Sequence, residues 1–113
     1  MTARYLAQSL DPAEVFQRIT DSIRRLLGVQ TTTLYRLEPE SGDLRVMAAS
    51  GEYDPAFGPD VVFPRGTGAV GLAVEERGPV VSENVLADPR LTFAPETRVR
   101  VERARFRAVL AIP

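Results

Sequence analysis

The sequence predicts an α+β fold in which helices flank a largely antiparallel sheet. Three observations carry this reading. An amphipathic helical stretch opens the chain, and a β-rich hairpin follows it. A strand–glycine turn–helix–strand unit then runs from Val61 to Val81.

The helix begins at Asp11-Pro12-Ala13-Glu14. Asp11 can cap, Pro12 suits the first helical position, and Glu14 sits at the third. Val15, Phe16, Ile19, Ile23, Leu26 and Leu27 recur at helical spacing, and Gly28 is the expected stop. Such a stripe is expected to lie under a sheet or another helix. Residues 1–10 carry little signal and read as a lead-in helix or a frayed end, so the domain is taken as 11–113.

Val29 to Glu38 is rich in threonine and aromatic residues, which favours a strand. Glu38-Pro39-Glu40-Ser41-Gly42-Asp43 is a turn by composition. Leu44 to Ser50 follows as a second strand with Leu44, Val46 and Ala48 on one face, and the short connection makes the pair an antiparallel hairpin. Gly51 to Pro59 is a loop. Val61 to Phe63 is a strand, Gly66 to Gly68 a turn, Ala69 to Arg77 a helix ended at Gly78-Pro79, and Val80 to Glu83 a short strand. Asn84 to Leu91 is a loop of local turns. Glu96 to Arg105 is expected as a helix, although alternation of Val99 and Val101 with arginine also permits a strand. Arg107 to Pro113 has the apolar pattern of a buried strand.

Composition excludes more than it includes. The 113 residues fit one domain. A net charge of -1 argues against a nucleic-acid binder. The sequence shows neither a membrane-spanning run nor a signal peptide, so the expected location is cytoplasmic. With no cysteine there is no disulfide, thiol nucleophile or thiolate metal site, and with no histidine the commonest general base and metal ligand are gone. All 14 basic residues are arginine. Between Glu38 and Asp60 six acids face Arg45 alone. Between Arg90 and Arg107 six arginines face Glu96 and Glu102. These segments read either as balancing solvated faces or as an anion or partner surface near the second one.

Several segments in this order resemble a GAF domain, a sensory module related to the PAS fold. They are Leu26-Leu27-Gly28, the hairpin from Leu34 to Gly51, Gly66-Thr67-Gly68-Ala69-Val70-Gly71-Leu72-Ala73, Gly78-Pro79-Val80-Val81, Asn84 to Arg90, and Val109 to Pro113. The resemblance implies a six-stranded antiparallel sheet with a small-molecule pocket on one face. It also implies that the last strand and final helix are missing, so that the chain is a fragment whose open sheet edge invites a second copy.

As a GAF domain, the chain is expected to be a non-enzymatic sensor module of a larger signalling protein. The output domain would be a histidine kinase, a cyclase or phosphodiesterase, or a transcription activator. The expected partners are an unknown small molecule, a second copy and that output domain, with no nucleic acid and no membrane. The alternative is a ligand-free dimerisation and relay module.

Family subclasses can be separated by residue. Bilin attachment needs a cysteine, haem a histidine, and reduction of free methionine sulfoxide reactive cysteines, so no cofactor is expected. The cyclic-nucleotide signature is unsupported, since Val85 follows Asn84 and no Asp-Glu pair follows Phe93. The resemblance places a ligand between the sheet and the segments Phe63–Val70 and Asn84–Arg103. Phe63, Val70, Phe93 and Phe106 would form walls, and Thr67, Asn84 and Arg103 polar contacts. For each of the four apolar residues plain core is the simpler reading. Gly66-Thr67-Gly68 is too short for a phosphate loop and has no lysine, so it reads as a tight turn. Asp88 before Pro89 reads as a turn former rather than a catalyst.

Overall fold

The computed structural model describes residues 11–52 and 57–113. Its elements are α1 (Pro12–Leu27), β1 (Thr31–Leu37), β2 (Leu44–Gly51), β3 (Val62–Phe63), α2 (Gly68–Glu76), β4 (Val80–Ser82), α3 (Pro95–Arg103) and β5 (Val109–Ala111). The α+β class and the order of elements follow the sequence reading. The residue 1–10 lead-in and the Tyr53–Ala56 part of the expected loop lie outside the described residues. The strands form one sheet in the order β1-β2-β3 and a second of β4 and β5. The chain divides into two compact units, one from the described parts of 1–35 and 46–60 and the other from 36–45 and 61–113.

In the first unit α1 has the expected caps. The Asp11 carboxylate accepts from Ala13 N–H at 3.1 Å, and Gly28 closes the helix with φ 65°. Its docking face, however, is the polar one. Gln17 donates to the Ala49 carbonyl at 2.8 Å and Arg24 to the Ser50 hydroxyl at 2.8 Å, while Thr20 between them is fully buried. The Asp21 carboxyl is held below its ordinary range, first by the Ser50 hydroxyl and then by Gln17. Positions 17, 20, 21 and 24 lie on one helical face, so the apolar stripe is turned aside. Ile19, Ile23, Leu26 and Leu27 are exposed, Leu26 by 84%. The expectation that this stripe is covered is therefore corrected. Short polar bonds to β2 fix the rotation of the helix, and periodicity alone could not foresee them. Val46, Ala48, Ala49 and Phe57 of this unit are buried.

The second unit is built on the strand–turn–helix stretch. β2 pairs antiparallel with β3, Leu44 opposite Phe63 and Arg45 opposite Val62. The turn after β3 bonds itself: Thr67 N–H donates to the Pro64 carbonyl at 3.1 Å, and the Thr67 hydroxyl to the same oxygen at 2.6 Å. Gly66 and Gly68 take φ of 74° and 69°, which a side chain resists. A Cβ on Gly71 would lie 2.6 Å from the carbonyl carbon of Gly66. The first turn of α2 therefore rests directly on the backbone of the loop before it.

β4 and β5 pair antiparallel, with Val80 opposite Ala111, Val81 opposite Leu110 and Ser82 opposite Val109. Val80, Ser82 and Ala111 are buried with Ala69 and Ala73 of α2. Val81, Leu110 and Ile112 are exposed, so β5 is a one-faced strand rather than the buried one its apolar run suggested. The helix reading of residues 96–105 holds over α3. Helical geometry sends Val101 inward at 2% exposure and Val99 outward at 46%, although the two alternate with arginine. Arg107 closes the C-terminal end of α3, donating to the carbonyls of Val101, Glu102, Ala104 and Phe106.

Gly71→Ala tests the backbone contact. The extra methyl group meets main chain that cannot swing away, and overpacking costs about 1–3 kcal/mol against a helix-propensity gain of about 1 kcal/mol. A net loss of stability is expected in urea unfolding, whereas an unchanged or raised midpoint would contradict the contact.

Candidate ligand site

The sequence-predicted site residues all fall in the second unit. Phe63 at the end of β3 is buried at 6% exposure, opposite Leu44. Gly68 opens α2, and its N–H donates to the Thr92 carbonyl at 2.7 Å, which draws the 91–94 segment onto the helix start. Both phenylalanines lie beside it. A Cβ on Gly68 would lie 3.3 Å from the Phe63 ring and 3.7 Å from that of Phe93. The glycine therefore makes room for two of the predicted walls, and Phe93 is only half-buried beside it.

The other predicted residues are placed less uniformly. Val70 is half-buried on α2, and Phe106, also half-buried, follows α3. Thr67 spends its hydroxyl on Pro64. The Asn84 carboxamide oxygen accepts from Leu86 N–H at 3.1 Å, closing a local turn. Arg103 ends α3 with an exposed side chain. Phe63 and Phe93 are thus brought together around Gly68, whereas Asn84 is committed to its own loop.

That loop is locked by an ion pair. Asp88 accepts from Arg90 N–H at 3.0 Å and from its guanidinium at 2.7 and 3.0 Å, and the same guanidinium reaches the Val81 carbonyl at 2.7 Å. The Asp88 side chain is only 11% exposed. The Arg90 side chain first, then its backbone N–H, hold the Asp88 carboxyl well below the usual carboxylate range. This is turn chemistry, as Asp-Pro suggested, and it ties the loop to β4. A shallow cleft lies here, with Ser82, Asn84 and Asp88 in its wall.

A second cleft, of about 490 Å³, was not anticipated. It runs between the 38–43 turn and α2, with Leu37, Leu44 and Val74 as its apolar lining and Arg65 and Glu75 among its charged groups. It arises from contacts across the chain: Arg65 N–H donates to the Asp43 carboxylate at 2.9 Å, and the Arg65 stem lies against Gly42. No local pattern marks those pairs, so sequence periodicity could not find it. Among the described residues there is no group of three or more carboxylates suited to a metal. No described helix is long and apolar enough to cross a membrane.

A family model described as GAF domain matches residues 9–113. The chain belongs to the GAF domain family. Three solved structures are similar. The GAF domain from Acinetobacter phosphoenolpyruvate-protein phosphotransferase is 19% identical, with a TM-score of 0.64 over 78% of this chain and 55% of that one. A type II free methionine-R-sulfoxide reductase from Thermoplasma acidophilum is 19% identical, with a TM-score of 0.58 over 91% and 67%. A Staphylococcus aureus NreA protein mutated in its nitrate binding site is 24% identical, with a TM-score of 0.62 over 88% and 72%. These likenesses are of fold. The chain spans about half the length of the first, and no curated protein matches the sequence.

Asp88→Asn tests the loop lock through pH. A carboxyl depressed in the folded state stabilises the fold above the unfolded-state pKa of about 3.9, and this contribution is lost as pH falls below that value. The variant is expected to be less stable than the parent at pH 7, with the gap closing in acid. A gap constant from pH 7 to the acid limit of folding would contradict it.

Proposed function

We propose that this GAF domain is the regulatory sensor module of a larger signalling protein, and that a small molecule binds in the second unit beside the start of α2. The output domain is a histidine kinase, a cyclase or phosphodiesterase, or a transcription activator. The observation that carries the reading is the placing of Phe63 and Phe93 beside Gly68. Two aromatic rings, one buried and one half-open, give an apolar contact surface at the start of the helix. Val70 and Phe106 are the further wall candidates, with Thr67 the nearest hydroxyl in the turn. The nitrate binding site named for the Staphylococcus protein makes a small anion one of the ligands to try. The role is binding rather than catalysis. A chain without cysteine has no thiol redox chemistry, so its likeness to the sulfoxide reductase is read as structural.

Thermal unfolding in the presence of cyclic nucleotides, 2-oxo acids, aromatic acids and nitrate tests this. A ligand at one hundred times its dissociation constant stabilises by about 2.7 kcal/mol, and Phe93→Ala is expected to remove that gain. Stabilisation by none of these probes would count against the sensor reading.

A second reading, a ligand-free dimerisation and relay module, is favoured by the exposed stripe of α1. Half-buried Phe16 and exposed Ile19, Ile23 and Leu26 are spaced three, four and three residues apart, the seam of a helix pair. Light scattering is expected to show a dimer that Ile19→Gln with Leu26→Gln converts to monomer without loss of melting temperature. A parent protein that is monomeric throughout would rule this reading out.

A further inference from the structure

The cleft of about 490 Å³ between the 38–43 turn and α2 lies wholly within the second unit, and Phe63, Thr67, Val70, Phe93 and Phe106 do not line it. Its volume falls in the range of small-molecule sites, about 300–1,000 Å³. Five charged residues line it: Glu38, Glu40, Arg65, Glu75 and Arg77. Glu38 is paired with Arg45 at 2.9 Å. The other four, two of each sign, are in no ion pair among the described residues, although they share one cleft. Two glycines make room for a charge on each wall. The Arg65 stem crosses Gly42, where an added Cβ would lie 2.8 Å from its Cδ. The Glu75 carboxylate lies against Gly66, 2.7 Å from where a Cβ would stand. Arg65 is thus held to the turn and Glu75 belongs to the helix.

The C-terminal end of α2 breaks two local rules beside this cleft. The helix dipole disfavours acids there, yet Glu75 and Glu76 occupy the last turn. Glu76 lies in the field of Arg90, whereas Glu75 has no ion-pair partner among the described residues. Arg77 takes the left-handed conformation, φ 56°, in which glycine is the usual residue, while Gly78 stands one position later. Departures of this kind gather at ligand sites, where binding compensates for them. The charges are joined by an apolar part of the lining: Leu44 is buried, Val74 half-buried and Leu37 47% exposed.

The two signs of charge select the ligand. A lone anion in the cleft would meet Glu40 and Glu75, and a lone cation Arg65 and Arg77. A neutral apolar molecule would take water from all four without replacing it. A molecule carrying both a carboxylate and an ammonium group answers both signs with charge-assisted hydrogen bonds, and an apolar body covers Leu37, Leu44 and Val74. We propose that this cleft binds a small zwitterion with an apolar body, the class of free amino acids and short peptides, at a site separate from the Phe63–Phe93 surface. Arg65 and Arg77 hold the carboxylate, and Glu40 and Glu75 hold the ammonium group.

The test is isothermal titration calorimetry of the full chain with leucine and with leucyl-leucine. Leucinamide, which keeps only the positive charge, and 4-methylpentanoate, which keeps only the negative one, serve as the other probes. A zwitterion is expected to bind about tenfold more tightly than either singly charged analogue. Tighter binding of leucine assigns the site to free amino acids, and tighter binding of the dipeptide assigns it to peptides. Arg65→Gln and Glu75→Gln are each expected to weaken the zwitterion about tenfold. Their melting temperatures are expected to stay unchanged, because glutamine keeps the stem and the Arg65 bond to Asp43 is made by the backbone N–H. Arg77→Gly is expected to raise the melting temperature, since glycine suits the left-handed turn, and to weaken binding. Arg25→Gln on α1 is expected to leave binding unaltered. The proposal is overturned if neither zwitterion binds, if a singly charged analogue binds as tightly, or if Arg77→Gly keeps full affinity. A loss through Phe93→Ala with none through Arg65→Gln would put the ligand at the other site and overturn it as well.

Discussion

The contact between Gly71 and the backbone of Gly66 is the constraint on which the second unit depends. It lets the first turn of α2 sit on the loop that precedes it, at a distance no side chain would permit. With the helix seated there, Gly68 N–H points at Thr92, and the 91–94 segment is pulled in beside β3. Phe63 and Phe93 then both lie beside Gly68. The same seating aligns Ala69 and Ala73 with Val80 and Ala111, so that the β4–β5 pair is covered on one face by small residues. Glycine and alanine are used because the elements approach closely, and bulk is moved to the two rings at the edge.

Polar bonds do comparable work elsewhere. α1 is oriented by Gln17 and Arg24, whose bonds to β2 are made at the cost of leaving an apolar stripe in water. An apolar surface of this kind on a helix is a feature of surfaces that meet partners. The 84–90 loop is held by Asp88 and Arg90 rather than by burial, and the C-terminal end of α3 by Arg107. Arginine is the only basic side chain available, and here its fork serves as a structural clasp in three places.

The expected site was legible in part. The residues that converge, Phe63 and Phe93, are aromatic residues flanking glycine-rich or loop segments, which is a local signal. Asn84 was not separable by sequence, because an asparagine that closes its own turn and one that greets a ligand look alike in a single chain. The cleft beside the 38–43 turn was invisible for a different reason. Its walls come from positions some twenty to forty residues apart, and only the fold sets them side by side.

Sequence alone determined the class, the order of the elements, the caps of α1 and the need for glycine between Val61 and Val81. These are properties of local sterics and periodicity, which each residue carries with it. Tertiary structure alone decided which face of α1 is buried, that β5 is covered on one side, and which arginines are free. Those outcomes depend on partners distant in sequence: Ala49 and Ser50 for α1, α2 for the β4–β5 pair, and the carbonyls around Val101 for Arg107. Helical spacing says that a stripe exists, but the bonds made by its neighbours decide where it points.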